Sequence, residues 1–332
     1  MKNKNNYIKY IAVALVVVFL IAAVFLLLEV WERNQGQFSD TSTEDGVVRY
    51  KGKDYVLKDN VETFLVLGLD KYKGANSADS HESGVQADFL MLFVFNNDTK
   101  QCTAVHINRD TMTRVNKLSV GGTSVVESYT KQIALAYNYV NDDNDKIRCG
   151  NTKASVEFLF RDIDVNHYMA MTMDAVPAMN DLVGGVEVTV LDDFTGIDDS
   201  LIKGEKATLT GEQALRYVRT RYGLEDSTNS TRMARQQQYI NAFCDKVNSR
   251  IKADDEFLVK FADTMDDYVV YDSSNHKMQK FAEKFDDYEF LGIREIEGES
   301  KLGDEFIEFY PNGDSILEIV IDLFYIEKTD DN

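Results

Sequence analysis

The longest uninterrupted run of hydrophobic positions lies near the start of the chain. Residues 11–28 are all apolar, lysines precede them at positions 2, 4 and 9, and Glu29 follows. A run of this length can span a bilayer as a helix, and the lysines before it keep the N-terminus on the cytoplasmic side. The pattern predicts a cytoplasmic N-terminus over residues 1–10, an uncleaved single-pass signal anchor in the cell membrane over 11–30, and an extracellular remainder. A cleaved signal peptide is the alternative, although no small-x-small cleavage site ends the run.

A short polar region separates this run from the rest of the chain. Residues 32–46 are mostly polar and acidic, as in a stalk, and segments 47–50 and 55–57 flank a Lys-Gly-Lys turn. Apolar segments around such a turn are typical of a small β-hairpin. We therefore assign residues 31–59 to an extracellular stalk that carries this hairpin.

Short apolar runs in the next part of the chain predict a buried sheet. Residues 64–69, 89–95 and 102–107 are mostly apolar and of strand length, which is typical of strands covered on both faces. Later patterns predict, in order, a helix at 155–160, strands at 168–173 and 186–190, a helix at 277–285, strands at 289–296 and 305–310, and a helix at 315–325. Together they predict an α/β domain over residues 60–326, with a mixed central sheet flanked by helices, after one N-terminal transmembrane helix.

Residues 210–237 combine helix signals with an unusual number of arginines. Thr210 and Gln213 have the spacing of a capping box and predict the start of a short helix. An extended segment is expected over residues 217–221, and it would place Tyr217, Arg219 and Arg221 on one face. A second helix is expected to begin at residues 229–230, where Asn and Ser are good N-caps.

The second helix carries polar residues on its apolar side. Arg232 and Gln236 lie one turn apart and continue the apolar stripe at positions 240, 243, 247 and 251. A guanidinium group can bind a phosphate group through two parallel hydrogen bonds, and a helix N-terminus also favours an anion. Candidates for binding a phosphate group are therefore Arg219, Arg221 and Arg232, with Arg235 and Gln236 as second choices. The alternative is ordinary ion pairing, because Asp and Glu outnumber Lys and Arg by 56 to 36.

The charge of the whole chain limits the range of partners. The formal net charge is −20, and no Lys/Arg-rich face is apparent apart from residues 210–237. Nucleic-acid-binding proteins usually display a clear basic surface. The composition therefore argues against nucleic acid as the main partner.

Charged residues at strand ends predict a second site. Asp70 follows the first apolar run, Asp88 opens the second, and Arg109 and Asp110 follow the third. Because a turn near residues 97–98 folds the second run onto the third, Asp88 is expected to lie opposite residues near Arg109. Mg²⁺ prefers carboxylates, water and substrate phosphates, so Asp70 and Asp88 are candidate Mg²⁺ ligands and Arg109 a candidate phosphate ligand. The alternative is that these aspartates only suit turns.

The cysteine content neither defines a disulfide framework nor suggests zinc. The chain has three cysteines, Cys102, Cys149 and Cys244, which is an odd number for an exported protein. At most one disulfide can therefore form, and the sequence does not decide which two cysteines would form it. The sequence has no Cys-x-x-Cys motif and no paired histidines, so it gives no support for zinc.

The arginine and aspartate motifs resemble those of the LytR-CpsA-Psr family, which are cell-envelope enzymes of mainly Gram-positive bacteria. The similarity rests on Arg-Tyr-Val-Arg-Thr-Arg at 216–221 and Arg-Met-Ala-Arg-Gln-Gln at 232–237. It extends to Gly-Leu-Asp at 68–70, Gln-Ala-Asp at 86–88 and Arg-Asp-Thr at 109–111. Gln86 replaces an arginine of the family pattern, Asn108 replaces a proline, and Lys131 lies one residue out of register with the lysine that the family has before an Ala-Tyr pair.

The resemblance implies a phosphotransferase. Enzymes of this family take an anionic glycopolymer, of the teichoic acid or capsular polysaccharide type, from an undecaprenyl-pyrophosphate carrier and attach it to a peptidoglycan hydroxyl. Such chemistry needs positioning and charge neutralisation more than covalent catalysis. The roles that the resemblance implies are Mg²⁺ binding for Asp70 and Asp88, pyrophosphate binding for Arg109, Arg219, Arg221 and Arg232, and substrate contact for Gln86, Arg235 and Gln236.

The general base and the reaction class stay open at this stage. Asp110 and Asp226 are both candidates for the base, and their spacing does not decide between them. One alternative function is a non-catalytic regulator that binds polyprenyl phosphates, which the loss of the arginine at Gln86 favours. The other is a hydrolase that cleaves the lipid pyrophosphate with water.

Overall fold

The structure is a computed structural model that describes residues 47–70, 85–140, 143–220, 223–224, 229–254, 256–272, 288–303 and 306–329. The predicted cytoplasmic end, the membrane anchor, most of the stalk and the predicted helix at 277–285 lie outside these ranges. Among the described residues, no helix is both long enough and apolar enough to span a membrane.

The described chain contains both strands and helices. The strands are β1 (Val48–Tyr50), β2 (Lys53–Leu57), β3 (Val61–Leu69), β4 (Ala87–Asn96), β5 (Gln101–Ile107), β6 (Met112–Leu118), β7 (Val125–Gln132), β8 (His167–Thr172), β9 (Val186–Thr189), β10 (Lys206–Leu209), β11 (Val269–Tyr271), β12 (Glu289–Glu295), β13 (Gly298–Leu302), β14 (Ile307–Pro311) and β15 (Tyr325–Glu327). The helices are α1 (Asp145–Leu159), α2 (Ala175–Leu182), α3 (Gly211–Arg219), α4 (Asn229–Ala253), α5 (Phe257–Met265) and α6 (Gly313–Phe324). Short 3₁₀ helices span Ile133–Tyr137 and Asp266–Tyr268.

The central sheet is mixed, as the sequence predicts. Its six strands have the order β11-β8-β3-β4-β5-β12. Strand β5 pairs antiparallel with β4 and parallel with β12, and β11 pairs antiparallel with β8. Strands β3, β4 and β5 are buried over most of their length, which explains why their sequences are nearly continuous apolar runs.

The chain forms two compact units. The described residues between 68 and 85 and between 169 and 287 belong to the first unit, and all other described residues belong to the second. The predicted domain boundaries at residues 60 and 326 stay predictions.

The first unit has an apolar cluster to which its helices and the β9–β10 hairpin contribute. Phe194 and Phe261 are among its fully buried members. Gly185, between α2 and β9, has a φ angle of 86°. A Cβ at this position would come within 2.9 Å of the Thr208 side chain and 3.0 Å of the Leu209 carbonyl oxygen. Glycine is therefore required here for close backbone packing.

Helix α3 corrects one expectation from the sequence. Residues 217–221 are expected to be extended, but α3 continues to Arg219, and Thr220 is its C-cap. The helix starts at the predicted capping box of Thr210, and its buried residues Ala214, Leu215, Tyr217 and Val218 follow helical spacing. Because helix residues two apart point in different directions, Tyr217 is fully buried whereas Arg219 is partly exposed.

The second unit contains a β-ribbon that the sequence patterns do not predict. Strands β6 and β7 pair antiparallel, with Met112 opposite Gln132 at one end and Leu118 opposite Val125 at the other. The side-chain amide of Asn151 in α1 donates to the carbonyls of Asn116 and Ala136, at 2.8 and 2.7 Å. Helix α1 is thereby fixed to the ribbon and to the 3₁₀ helix that follows it.

Two other predictions concern the hairpin and the cysteines. Strands β1 and β2 form the predicted hairpin, with Val48 opposite Tyr55, and β15 pairs with β2. Cys102 and Cys149 are buried, and neither forms a disulfide with another described residue. Burial raises the pKa of the Cys102 thiol, which keeps it protonated and unreactive. The side chain of Cys244 lies outside the described part.

Candidate functional site

The second unit holds a cluster of polar side chains around Arg109, just after β5. One guanidinium nitrogen of Arg109 donates to the Asp88 carboxylate, and another donates to the side-chain oxygen of Gln86. The Arg109 Nε atom lies 3.3 Å from Oδ1 of Asp110. The Arg109 side chain is only 12% exposed. Three neighbouring side chains therefore orient one largely buried guanidinium.

The register of the β4–β5 hairpin explains this cluster. Leu90 of β4 lies opposite Ile107 of β5. Continuing the same register by two residues on each strand brings Asp88 opposite Arg109, which agrees with their contact. The hairpin expectation from the sequence is therefore confirmed.

Asp110 is buried beside Arg109 and is part of the packing that supports it. Its Oδ1 atom accepts a hydrogen bond from Nε2 of Gln132 at 3.2 Å, and the same amide donates to the Ile307 carbonyl at 2.7 Å. The Asp110 carbonyl also accepts from the backbone N–H of Phe309 at 2.9 Å. Sequence patterns do not reveal these supporting residues, since they come from distant segments. The role of Asp110 as a general base stays a prediction.

The first unit contains the predicted residues Asp70 and Arg219. Asp70 follows β3, Arg219 is the last residue of α3, and a guanidinium nitrogen lies 3.0 Å from Oδ1 of Asp70. The two side chains are 16% and 37% exposed, respectively. The Arg219 guanidinium is thus oriented by a carboxylate and is also accessible to a ligand. The pair is compatible with phosphate binding and with an ordinary ion pair.

Arg235 of α4 has a different setting, because its side chain is fully buried. Its Nε atom lies 2.8 Å from Oδ2 of Asp192. One terminal nitrogen donates to the Tyr217 carbonyl at 2.6 Å, and the other donates to the Thr220 carbonyl. Burial lowers the pKa of Arg235, an effect that the nearby Asp192 carboxylate opposes. These contacts fasten the end of α3 to α4, and sequence reasoning missed Asp192 as the partner.

The remaining residues of the predicted arginine site are only partly described. Arg232 and Gln236 are buried on α4, together with Phe243 and Val247 of the predicted stripe. The Gln236 amide donates to the Val218 carbonyl of α3 at 3.2 Å. Arg221 and Asp226 lie outside the described residues, so their roles stay predictions. The substrate contacts assigned to Gln86, Arg232, Arg235 and Gln236 also stay predictions.

The carboxylates predicted to bind Mg²⁺ are engaged by arginines in this structure. Asp88 contacts Arg109 in the second unit, and Asp70 contacts Arg219 in the first. Across the described ranges there is no group of three or more His, Cys, Asp or Glu side chains that could hold a metal ion. Mg²⁺ does not require such a group, because it is commonly held by one or two carboxylates with water and substrate phosphates.

Solved structures with a similar fold come from bacterial proteins. The crystal structure of the protein gbs0355 from Streptococcus agalactiae matches 80% of this chain and 86% of that chain, with a TM-score of 0.58 and 20% sequence identity. The crystal structure of TagV from B. subtilis matches 80% and 97%, with a TM-score of 0.54 and 21% identity. At these identities the similarity establishes the fold alone, which is an α/β fold with a mixed central sheet flanked by helices.

Sequence comparison identifies several bacterial relatives. Biofilm regulatory protein A of Streptococcus mutans serotype c is 27% identical over 251 residues, which cover 72% of this chain and 57% of the relative. The polyisoprenyl-teichoic acid–peptidoglycan teichoic acid transferase TagU of Bacillus cereus is 30% identical over 166 residues, or 50% of this chain and 46% of the relative. The chain thus spans about half the length of the curated relatives it matches. The family model extends further, since the LytR_cpsA_psr family matches residues 32–320, and the protein therefore belongs to this family.

Proposed function

We propose that this protein transfers an anionic glycopolymer from an undecaprenyl-pyrophosphate carrier to peptidoglycan. In the reaction, a peptidoglycan hydroxyl oxygen bonds to the phosphorus atom on the polymer side of the pyrophosphate. The bond from that phosphorus to the bridging oxygen breaks, and undecaprenyl phosphate leaves. The hydroxyl proton passes to a general base, for which Asp110 and Asp226 are the candidates. The product is a phosphodiester between the polymer and peptidoglycan.

Family membership and the Arg109 cluster support this proposal. The relative from Bacillus cereus is named as a transferase of teichoic acid to peptidoglycan. The observation that carries the proposal is that the Arg109 guanidinium is held by the side-chain oxygens of Gln86 and Asp88 rather than by backbone carbonyls. A phosphate oxygen can replace such partners by small side-chain movements, without disturbing a helix or strand.

The arginines would act by neutralising and positioning charge. Phosphoryl transfer spreads negative charge over the non-bridging oxygens, and guanidinium groups bind such oxygens in pairs. Arg109 is already oriented before any substrate binds, so little side-chain freedom is lost on binding. The family resemblance assigns Arg219, Arg221 and Arg232 to the same substrate group.

Mg²⁺ is the metal that the resemblance implies, and the donor chemistry of Asp70 and Asp88 fits it. Both side chains are carboxylates at strand ends, and each is held by an arginine that the resemblance assigns to the pyrophosphate. When bound, Mg²⁺ would supply charge neutralisation at the phosphate oxygens. Asp70 and Asp88 are the residues that would hold it.

A non-catalytic regulator is the second candidate function. The substitution at Gln86 favours it, because the family pattern has an arginine there and one positive charge is missing. The relative from Streptococcus mutans is also named as a regulatory protein. In this alternative the same cluster binds polyprenyl phosphates without turning them over. A hydrolase, with water as the acceptor, is the third candidate.

The lipid carrier and the peptidoglycan acceptor make the cell surface part of the proposal. We expect residues 11–30 to anchor the protein in the cell membrane, with residues 31–332 outside. The protein should then remain with membranes after washing with concentrated salt. A soluble protein whose N-terminus begins after Leu28 would contradict the anchor.

One experiment separates the three functions. The full-length protein is incubated with a lipid-linked anionic glycan and peptidoglycan oligomers, with Mg²⁺ or with a chelator, and the products are analysed by mass spectrometry. Transfer gives a glycan joined to peptidoglycan through a phosphodiester. Hydrolysis gives a free glycan phosphate, and a binding protein leaves both substrates unchanged. Undiminished transfer in excess chelator would contradict the Mg²⁺ assignment alone.

A further inference from the structure

A groove in the second unit is separate from all residues assigned above. It is bounded by the β6–β7 ribbon, the end of α1 and the start of α6, and its volume is about 560 Å³. This volume lies within the range of roughly 300–1,000 Å³ that is typical of small-molecule sites. We call it the ribbon groove, and its lining includes Arg114, Ser128, Tyr129, Phe158, Arg161 and Gly313.

The ribbon groove starts close to the Arg109 cluster along the chain. Strand β6 begins at Met112, three residues after Arg109, and Arg114 is its third residue. Since a strand advances by about 3.3 Å per residue, the chain places Arg114 at most about 17 Å from Arg109. A polymer whose reacting end lies at Arg109 could therefore extend into the groove.

Arg114 presents an oriented and accessible cation. Its guanidinium carbon lies over the Phe158 ring, 3.9 Å from the ring centre, and this cation–π contact holds the group beside the groove. Asp162 is 4.0 Å away, at the outer limit of an ion pair. The Arg114 side chain is 46% exposed. Its nitrogen atoms are therefore accessible to an anionic ligand.

Arg161 stands at a backbone position that favours glycine. Its φ angle is 60°, in the left-handed region, where the turn after α1 brings its N–H to the Phe158 carbonyl at 3.1 Å. Non-glycine residues adopt this conformation at an energetic cost, and such residues are concentrated at functional sites. The Arg161 side chain is exposed and lines the groove. Its presence is explained if the guanidinium serves the groove.

The rest of the lining suits a sugar. Phe158 and Tyr129 provide aromatic surface, and Ser128 adds a hydroxyl. Aromatic rings with a few placed polar groups are typical of pockets that orient a partly apolar, partly polar ligand. Both charged residues in its lining, Arg114 and Arg161, are cations, and a groove lined by one sign of charge attracts a ligand of the opposite sign.

We propose that the ribbon groove is a subsite for an anionic glycan, which binds through a sugar unit that carries a carboxylate or phosphate. The inference rests on the proposed function for the identity of this glycan as a substrate. Two substrates have this chemistry, the peptidoglycan acceptor with its carboxylates and the phosphate-bearing glycopolymer.

Calorimetric titration of the full-length protein in detergent tests the subsite with defined probes. The probes are a muropeptide, a glycerol phosphate oligomer, and an uncharged chito-oligosaccharide. We expect one anionic probe to bind at least about tenfold more tightly than the uncharged one, with an affinity that falls as salt is added. The probe whose affinity depends on Arg114 identifies the source of the glycan. Equal affinity for charged and uncharged probes would overturn the proposal.

Three variants locate the binding in the groove. Arg114→Gln and Arg161→Gly are each expected to lower the affinity for the anionic probe about tenfold, because each variant loses a charge-assisted hydrogen bond to the probe. Arg161→Gly should leave the Tm unchanged or raised, since glycine suits the left-handed backbone, so lost affinity cannot be ascribed to misfolding. Gly313 lines the groove, so a tryptophan there should block it. The fold should tolerate Gly313→Trp, because a Cβ at Gly313 meets no atom within 4 Å.

Arg49→Gln is the matched control. Arg49 is also an exposed arginine of the second unit and lies 3.9 Å from an aspartate, Asp54. We expect this variant to bind all probes as the wild type does. Wild-type affinity in all three groove variants would overturn the proposal. Transfer without Arg114-dependent binding would contradict the subsite alone, whereas Arg114-dependent binding without transfer would contradict the proposed function alone.

Discussion

Arg109 in the second unit and Arg235 in the first are both largely buried, but their partners differ in kind. The two terminal nitrogens of Arg109 donate to the side chains of Asp88 and Gln86. Those of Arg235 donate to the backbone carbonyls of Tyr217 and Thr220. Backbone carbonyls at a helix end have few other partners, so Arg235 cannot leave them without loosening α3.

This difference shows that burial alone does not identify a functional arginine. An arginine bound by side chains can exchange them for a ligand, whereas one bound by backbone carbonyls is part of the fold. By the same criterion, Arg219 belongs with Arg109, because its partner is the side chain of Asp70. The comparison therefore separates arginines whose loss should affect turnover from those whose loss should affect stability.

The largest expected effect is that of Arg219→Lys on turnover. Lysine keeps the charge but loses the paired nitrogens that bind phosphate oxygens. Arginines that stabilise the transition state of phosphoryl transfer contribute on the order of 10³ to 10⁵ in rate, or about 4–7 kcal/mol of barrier. We expect kcat for glycan transfer to fall by this order with little change in Tm.

Arg216→Lys is the matched control for that measurement. Arg216 lies one turn earlier on α3, its side chain is 39% exposed, and it also pairs with one aspartate, Asp198. It is outside the set assigned to the substrate, so its variant should keep a nearly normal rate. A loss of less than about fivefold for Arg219→Lys, roughly 1 kcal/mol of barrier, would return Arg219 to the class of ordinary ion pairs.

The next effect concerns stability and the buried pair of Arg235 and Asp192. Arg235→Met removes the cation, so the Asp192 carboxylate and two backbone carbonyls all lose this partner. Breaking a buried ion pair in this way costs about 3–5 kcal/mol. Urea unfolding should show a loss of that size, and Arg235→Met combined with Asp192→Leu should recover part of it. A single variant that is as stable as the wild type would contradict the structural role.

The sequence predicts the parts of the fold that depend on local pattern. The apolar runs at 64–69, 89–95 and 102–107 correspond to β3, β4 and β5, because strands buried on both faces need continuous apolar sequence. Strand β7 is not predicted, since it is mostly exposed and is held by pairing with β6 rather than by an apolar face. The alternation at 217–221 is misleading because so few residues cannot distinguish a strand from a helix.

The candidate site is predictable to a similar extent and for a similar reason. The contact between Asp88 and Arg109 follows from hairpin register, which the sequence contains. The roles of Gln132 beside Asp110 and of Asp192 beside Arg235 depend on residues that are far apart in the chain. Such pairings are decided by tertiary packing, so residue type and spacing do not reveal them.

A smaller effect is expected at the other end of α3. The Thr210 hydroxyl accepts from the Gln213 N–H at 3.3 Å, and the Gln213 side chain accepts from the Thr210 N–H at 3.0 Å. Thr210→Ala loses the first of these bonds, and loss of an N-cap costs about 1 kcal/mol. Thermal unfolding should therefore show a much smaller change than Arg235→Met. A change equal to that of Arg235→Met would mean that α3 depends on both ends equally.

The smallest effect is a pH dependence of stability that arises from the ion pair between Asp198 and Arg216 of α3. The hydrogen bond from the Ser200 hydroxyl, with a further contribution from Arg216, lowers the pKa of Asp198 below its usual value of 3.8. A carboxyl whose pKa is lower in the folded state stabilises the fold above its unfolded pKa, and this contribution disappears as the pH falls through the folded value.

Asp198→Asn should therefore be less stable than the wild type near neutral pH by at most about 1 kcal/mol, because the pair is partly exposed. The difference should persist above the usual carboxyl pKa of 3.8 and then shrink as the pH falls through the lower folded pKa, where the wild-type carboxyl takes up its proton. Urea unfolding of both proteins across this range measures it, and transfer activity near neutral pH should be the same in both. A difference in stability that does not change with pH would show that Asp198 contributes through packing rather than through its charge.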